Sequence, residues 1–157
     1  MDSIKTTTGD LVVRDARFAI VATRFNEFIV DSLLKGAVHC LRQHGAVDAD
    51  IEIVRVPGAF EMPLAVDKLA GSRRYDGIVA LACVIRGGTP HFDYVAGECV
   101  RGISTVAHKH GVPVGFGVLT TDTIEQAIER AGTKAGNKGE EATLAVIEMV
   151  NLLRRVG

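Results

Sequence analysis

Four apolar segments of strand length recur along the chain, and each is followed by a segment with the periodicity of an amphipathic helix. The apolar segments are Phe18–Thr23, Ile51–Val56, Asp76–Ile85 and Val112–Leu119. Continuous apolar runs are typical of strands that are covered on both faces, as in parallel sheets. Because parallel strands need crossover connections, the alternation predicts a parallel sheet of four strands with helices on both faces, a three-layer α/β/α sandwich.

Five helices are expected between and after these strands. Asn26 is expected to cap the first helix, which runs to about His44. Asp122 and Glu125 have the spacing of a capping box, and Gly132 is expected to end the helix that they open. The remaining helices are predicted to run from the turn at Pro57-Gly58 to Ala70, from His91 to His110 and from Gly139 to Arg155.

A single domain accounts for the 157 residues, since one domain typically contains about 100–200 residues. Residues 1–13 lack a core pattern and are predicted to form an N-terminal arm, while residues 14–157 form the domain. The arm is expected to be extended at Lys5–Val13 and to add an edge strand to a neighbouring subunit. Hydrophobic residues make up 47% of the chain and charged residues 24%, so a packed core without a disulfide or metal is expected.

The charge balance and the cysteines disfavour several classes of protein. Eighteen Lys and Arg against 19 Asp and Glu give a net charge of −1, which disfavours partners such as nucleic acid or an anionic membrane. The N-terminal residues lack the apolar segment of a signal peptide, and no apolar run approaches the ~20 residues of a membrane span. Cys40, Cys83 and Cys99 are odd in number and widely spaced, which favours a reducing compartment. We therefore expect a cytoplasmic protein.

Ligands of open parallel sheets bind beyond the carboxyl ends of the strands. The loop at residues 86–91, one of four such loops, contains Gly87, Gly88 and Thr89 before a helix that begins with His91. Its backbone N–H groups are expected to hold an anion or a carbonyl oxygen. His91 is expected to transfer protons near neutral pH. The alternative is that the glycines only turn the chain and that His91 caps the helix or packs.

Two aromatic residues directly follow strands, where an exposed ring has little structural reason to be. Phe25 follows the first strand and Phe60 the second, with Glu61 beside it. A phenyl ring in a pocket wall stacks on a flat heterocycle. The alternative is that both rings belong to the core or to an interface, and that Glu61 only complements the dipole of the next helix.

Three cations surround a glycine-rich segment near the end of the chain. Arg130, Lys134 and Lys138 lie in or beside residues 132–139. They are candidates for holding a phosphate, since the planar fork of arginine makes two-pronged contacts. The alternative is that they compensate a helix dipole and solvate a loop. The segment lacks the strand and the Ser or Thr that a Walker-type phosphate loop requires.

Metal-dependent and nucleophilic chemistry have no support in the sequence. No histidine is spaced from a cysteine or carboxylate as zinc ligands are. Cys83, in the middle of the most apolar strand, is interpreted as a small core residue rather than a reactive thiolate. We therefore expect no metal site.

Five motifs in order carry a resemblance to a known family. They are Arg24-Phe25-Asn26 and the segments at 56–61, 84–92, 116–120 and 125–139, which read VPGAFE, VIRGGTPHF, FGVLT and EQAIERAGTKAGNKG. Together they resemble the 6,7-dimethyl-8-ribityllumazine synthase family over about residues 16–153. The resemblance implies a flavodoxin-like sandwich and a transferase of riboflavin biosynthesis. Such an enzyme condenses 5-amino-6-(D-ribitylamino)uracil with 3,4-dihydroxy-2-butanone 4-phosphate to 6,7-dimethyl-8-(1-D-ribityl)lumazine, releases phosphate and water, and needs no cofactor.

The resemblance also assigns roles to individual residues. His91 is implied as the proton-transfer residue, and Phe116 and Arg130 are implied to reach the site of an adjacent subunit. Arg86 and Lys138 are further candidates for binding phosphate. The residues implied to contact substrate are Phe25 at the pyrimidine ring; Ala59, Phe60 and Glu61 along the ribityl chain; Cys83, Val84 and Ile85 at the uracil edge; and Gly88, Thr89 and Arg130 at the phosphate.

The expected partners are copies of this chain. Members of the family form pentamers, and in some members twelve pentamers build a hollow capsid of 60 subunits that encloses riboflavin synthase. The uninterrupted connection at 132–139 resembles the capsid-forming members. Two alternatives remain open, a non-catalytic flavin- or lumazine-binding protein and a structural shell protein. Ring binding alone would require neither His91 nor Arg130.

Overall fold

The central sheet contains four parallel strands, as the apolar segments predict. The computed structural model describes residues 1–157. The strands are β1 (Phe18–Thr23), β2 (Ile51–Val56), β3 (Gly77–Ile85) and β4 (Val114–Thr121). Their order in the sheet is β2-β1-β3-β4, so β2 and β4 form its edges. The predicted four-stranded parallel sheet is confirmed.

Helices cover both faces of the sheet. They are α1 (Glu27–Gln43), α2 (Met62–Gly71), α3 (His91–His110), α4 (Ile124–Glu129) and α5 (Lys138–Val156). Because side chains alternate along a strand, Phe18 and Ile20 pack against α1 and α5, whereas Ala19 and Val21 pack against α2 and α3. The result is the predicted three-layer sandwich.

Strand β3 is the centre of the core, and its residues 77–84 are all buried. Each fully buried Ile or Leu there contributes about 1.5–3 kcal/mol relative to an exposed side chain. Helix α5 lies so close to the sheet that a Cβ at Gly77 would stand 2.4 Å from Val146 Cγ1. Part of the high glycine content therefore serves this close helix-to-sheet contact.

Three predictions about helix ends are wrong. The capping box is formed by Thr123 and Gln126, not by Asp122 and Glu125. Asn26 precedes α1 but makes no capping bond, since its backbone is left-handed with φ 58°. Gly132 does not end α4. It lies instead, with φ +117°, in a short hairpin of β5 (Ala131–Thr133) and β6 (Gly136–Asn137).

The N-terminal arm contains no strand within its own chain. It lies against α5, where Asn151 Nδ2 donates to the carbonyls of Asp10 at 2.8 Å and Val12 at 2.9 Å. Arg155 also donates to Asp10 Oδ2 at 2.6 Å. The edge strand that the arm is expected to add to a neighbouring subunit stays a prediction. None of the helices combines the length and the apolar character that crossing a bilayer requires.

Candidate active site

The parallel register brings the carboxyl ends of all four strands to one edge of the sheet. Thr23 pairs with Val56, and Ile85 pairs with Thr121. Two adjoining cavities, of about 570 and 250 Å³, open beside the ends of β1, β2 and β3. Phe25, Ala59 and His91 line both of them. The other predicted site residues that line one of the two cavities are Phe60, Glu61, Cys83, Val84, Ile85 and Thr89.

Phe25 and Phe60 are presented to solvent rather than to the core. Their exposed fractions are 72% and 67%. The loop that carries Phe25 is held by two backbone hydrogen bonds, from Arg24 to the carbonyl of Val56 at 2.9 Å and from Phe25 to that of Pro57 at 3.1 Å. Interior packing of the two rings, one of the alternatives left open by the sequence, is therefore excluded within the single chain.

Asn26 links the first strand end to the third. Its Nδ2 donates to the carbonyl oxygen of Cys83 at 2.8 Å. Because a carbonyl has two lone pairs, this bond leaves the Cys83 oxygen able to accept a second one. The side chain of Asn26 thus joins the loop that carries Phe25 to the end of β3.

The Cys83 thiol is buried and protonated. Burial raises its pKa to about 11, and the same cause raises the pKa values of Cys40 and Cys99 to about 11. A thiol with such a pKa is not ionised near neutral pH, so it is not a nucleophile. The site supplies no activated thiolate, which agrees with the interpretation of Cys83 as a core residue.

The loop before α3 leaves backbone donors open. Nothing in the chain lies within 4 Å of a Cβ added at Gly87 or Gly88, and neither residue has a positive φ. Pro90 occupies the position before the helix and makes no side-chain capping bond. The first N–H groups of α3 are therefore available to an anion. His91, which opens the helix, is exposed beside them.

Three of the predicted site residues lie outside the two cavities around His91. Phe116, Arg130 and Lys138 line a separate cavity of about 440 Å³ between the edge strand β4 and α5. No residue of this lining belongs to the cavities around His91. Arg130 Nη1 donates to the carbonyl of Gln126 at 2.9 Å, and Lys138 pairs with Glu141 at 2.6 Å. The single chain thus holds two separate groups of candidate residues.

Arg86 lines none of these three cavities. Its guanidinium turns away from the cavities, with Nε donating to Asp122 Oδ1 at 2.9 Å and Nη1 to Asp93 Oδ1 at 3.5 Å.

The structure adds residues that the sequence did not single out. Tyr94 lines the larger cavity with 71% of its surface exposed. Its position three residues after His91 on a helix could have identified it.

Asn137 caps α5 by accepting from the N–H of Gly139 at 2.8 Å, and its Nδ2 donates to the carbonyl of Ser32 at 3.0 Å. An asparagine just before a predicted helix was the available signal.

Comparison with known proteins identifies the family of the chain. The family model described as 6,7-dimethyl-8-ribityllumazine synthase matches residues 15–154. A relative from Nitratidesulfovibrio vulgaris (strain DSM 19637 / Miyazaki F), named 6,7-dimethyl-8-ribityllumazine synthase, is 59% identical over 153 residues, and the match covers 98% of each chain. The chain belongs to the 6,7-dimethyl-8-ribityllumazine synthase family.

Proposed function

We propose that this protein is a lumazine synthase of riboflavin biosynthesis. It condenses 5-amino-6-(D-ribitylamino)uracil with 3,4-dihydroxy-2-butanone 4-phosphate to 6,7-dimethyl-8-(1-D-ribityl)lumazine, releasing phosphate and water. The observation that carries the proposal is a near full-length match at 59% identity to a protein of that name. The cavity at the strand ends supports it, since an exposed ring, a histidine and an uncapped helix start lie together there.

The pyrimidine occupies the cavity beside β1 and β3. Phe25 stacks on its ring, because an exposed phenyl face is free to cover a flat heterocycle. The backbone at 83–85 pairs with the uracil edge, and Ala59, Phe60 and Glu61 line the ribityl chain. The lining of both cavities supports this arrangement.

The phosphate lies at the start of α3. Gly88 and Thr89 offer backbone donors there, and the helix start favours negative charge. Arg130 and Lys138 complete the phosphate site from an adjacent subunit, together with Phe116. Their position in a cavity that shares no residue with the one around His91 supports a contribution to a second chain rather than to their own.

The reaction needs orientation and proton transfer more than an enzyme nucleophile. The substrate's own amine attacks the ketone, and loss of water gives an imine. Elimination of phosphate and closure of the ring by the second amine, with loss of water, give the lumazine. Each step moves protons, and His91 moves them at the site. Holding the two reactants together supplies the remaining acceleration. The protonated Cys83 thiol supports a path without a covalent enzyme intermediate.

The test is to mix the protein with both substrates and to follow the fluorescence of the lumazine product. We expect formation well above the uncatalysed rate, and none when either substrate is omitted. Product that forms only at the uncatalysed rate would contradict the proposal. Tight binding of added product in that case would favour the non-catalytic binding protein instead.

The assembly is proposed to be a pentamer in the cytoplasm, with twelve pentamers forming a capsid of 60 subunits that encloses a riboflavin synthase. The short hairpin that connects α4 and α5 supports the capsid, and the separated half-sites support a cyclic assembly. Sedimentation measures the mass directly. We expect 60 subunits, and a mass of one pentamer would contradict the capsid.

A further inference from the structure

Arg86 stands at the start of the loop that leads from β3 to α3, outside both groups of site residues. We infer that Arg86 is a positioning residue whose ion pairs with Asp122 and Asp93 hold the loop that carries Thr89 and His91. The inference rests on the proposed function for its kinetic consequences. It assigns Arg86 a role different from the direct phosphate contact that the resemblance implies.

The contacts of Arg86 reach three elements. Its backbone N–H donates to the carbonyl of Thr121, at the end of β4, at 2.8 Å. Its Nε bonds Asp122 at 2.9 Å, and its Nη1 lies 3.5 Å from Asp93 in the first turn of α3. The guanidinium carbon stands 4.4 Å from the centre of the Phe92 ring. One side chain therefore joins the ends of β3 and β4 to the start of α3.

These contacts close the loop into a ring. The chain leaves at Arg86, runs through residues 87–90 and returns at Phe92 and Asp93, where the side chain of Arg86 meets it. Residues 87–89 make no hydrogen bond to the rest of the chain, and Gly87 and Gly88 face open space. Arg86 is thus the one side chain whose hydrogen bonds connect the two ends of the segment that presents Thr89 and His91.

The charges around Arg86 argue against a direct phosphate contact. Two carboxylates pair with its single positive charge, so the three groups together are negative. A phosphate dianion placed against this group meets net repulsion. Arg130 has only one carboxylate near it, that of Glu129 at 3.8 Å, and it retains donors for an anion.

The pairs act on geometry rather than on overall stability. The side chains of Arg86, Asp93 and Asp122 are 46%, 63% and 67% exposed. Exposed ion pairs contribute little to the free energy of folding. Removing them is therefore expected to leave the fold intact, while a displaced loop impairs catalysis, because small errors in orientation are costly.

The experiment is a double-mutant cycle on Arg86→Ala and Asp122→Ala, with kcat and both KM values measured. We expect each single variant to raise KM for the butanone phosphate and to lower kcat, by about three- to tenfold, with KM for the pyrimidine unchanged. The double variant is expected to be no worse than Arg86→Ala alone. Arg86→Lys is expected not to restore activity, since an ammonium cannot reproduce the fork that joins two carboxylates.

Hydrogen exchange of the substrate-free protein gives a readout that does not depend on turnover. The informative amides of the loop are the hydrogen-bonded ones at its two ends, that of residue 86, which donates to the Thr121 carbonyl at 2.8 Å, and that of Asp93, which donates to the Pro90 carbonyl at 3.1 Å. Both are expected to exchange faster in Arg86→Ala and Asp122→Ala, to a similar extent. The control is Arg42→Ala, which removes another exposed arginine–aspartate pair, with Nε and Nη2 donating to the two oxygens of Asp48 at 2.8 and 2.9 Å, far along the chain. It is expected to change neither the kinetics nor the exchange of this loop.

Two results would overturn the inference. One is an Asp122→Ala variant with unchanged or lower KM for the butanone phosphate beside an Arg86→Ala variant with higher KM, as expected for a direct ligand of phosphate. The other is unchanged exchange of the loop in both single variants. A wild-type protein without turnover would contradict the proposed function, and the exchange measurement would still decide whether Arg86 holds the loop.

Discussion

Two glycine-containing segments adjoin the candidate site residues, one before His91 and the other between Arg130 and Lys138. They differ in why glycine is present. In the hairpin at 131–137, Gly132 and Gly136 have φ values of +117° and +100°, which side chains rarely adopt. In the loop at 86–90, Gly87 and Gly88 have no positive φ, and nothing lies within 4 Å of a Cβ added at either residue. The hairpin needs glycine for its own shape. The loop does not, and its open space lies where the phosphate of the substrate is proposed to bind.

The two segments are also fastened differently. The hairpin is held by backbone pairing, by the N–H of Lys138 donating to the Arg130 carbonyl at 2.9 Å, and by the capping amide of Asn137. The loop has backbone hydrogen bonds only at its two ends, from Arg86 to the Thr121 carbonyl and from Asp93 to the Pro90 carbonyl, and the side chain of Arg86 across it. The two cations that flank the hairpin, Arg130 and Lys138, are therefore tied together by a backbone hydrogen bond, whereas residues 87–89, which precede His91, make none.

Replacement of His91 by Ala is expected to slow turnover by up to about 10²-fold, since general acid–base groups contribute on the order of 10²–10⁴. Both KM values are expected to stay within about twofold, because proton transfer rather than binding is lost. Single-turnover measurements check this. The control is His108→Ala, at the far end of the same helix, where the ring bonds only the Ser104 carbonyl at 2.9 Å. An unchanged rate in His91→Ala would contradict a role of His91 in proton transfer.

Replacement of Arg130 by Ala is expected to raise KM for the butanone phosphate by about 10–100-fold, the range for a lost hydrogen bond to a charged group. KM for the pyrimidine should change far less, because the cation binds only the phosphate. Steady-state kinetics with each substrate varied in turn measures both. An equal rise in both KM values would contradict the proposal that Arg130 binds the phosphate.

Replacement of Gly132 by Ala is expected to lower the midpoint of thermal unfolding by about 2–8 °C, since the side chain is strained at a positive φ. Calorimetry at matched protein concentration checks this. A midpoint equal to that of the wild type would mean that the hairpin tolerates a Cβ and would weaken the comparison.

Replacement of Gly88 by Ala is expected to leave the unfolding midpoint unchanged or to raise it slightly. At an unstrained position the substitution stabilises by about 0.4–1 kcal/mol, because it restricts the unfolded chain. The same calorimetric series measures both glycine variants. A destabilisation as large as that of Gly132→Ala would show that the loop, like the hairpin, requires glycine for its own fold.

The strands and the long helices could be predicted from the sequence, because apolar runs and helical periodicity extend over many residues. Strands β1 and β2 begin and end where the apolar segments predict. Helix ends were less predictable. Asp122 with Glu125 and Thr123 with Gln126 both satisfy the spacing of a capping box, and only the structure shows which pair forms it. The strands at 131–137 are too short to show the alternation of apolar and polar residues that identifies longer strands.

The position of the candidate residues at the strand ends could be predicted from the sequence, but local patterns could not predict their division between separate cavities. The rule that ligands bind at strand ends led to Phe25, Phe60 and His91, which do lie around adjoining cavities. The separation of Arg130 from this group depends on the edge position of β4, which local patterns do not specify. Only the resemblance implied that Phe116 and Arg130 reach another subunit.

A site shared between two subunits is tested most directly by combining two impaired variants, His91→Ala and Arg130→Ala, in one assembly by coexpression. In a closed ring with random mixing, about a quarter of the sites receive an intact His91 from one chain and an intact Arg130 from its neighbour. The account therefore predicts that the mixed assembly recovers about a quarter of the wild-type activity, well above either variant alone. Activity equal to the mean of the two variants would place both groups in the same chain's site and contradict the account.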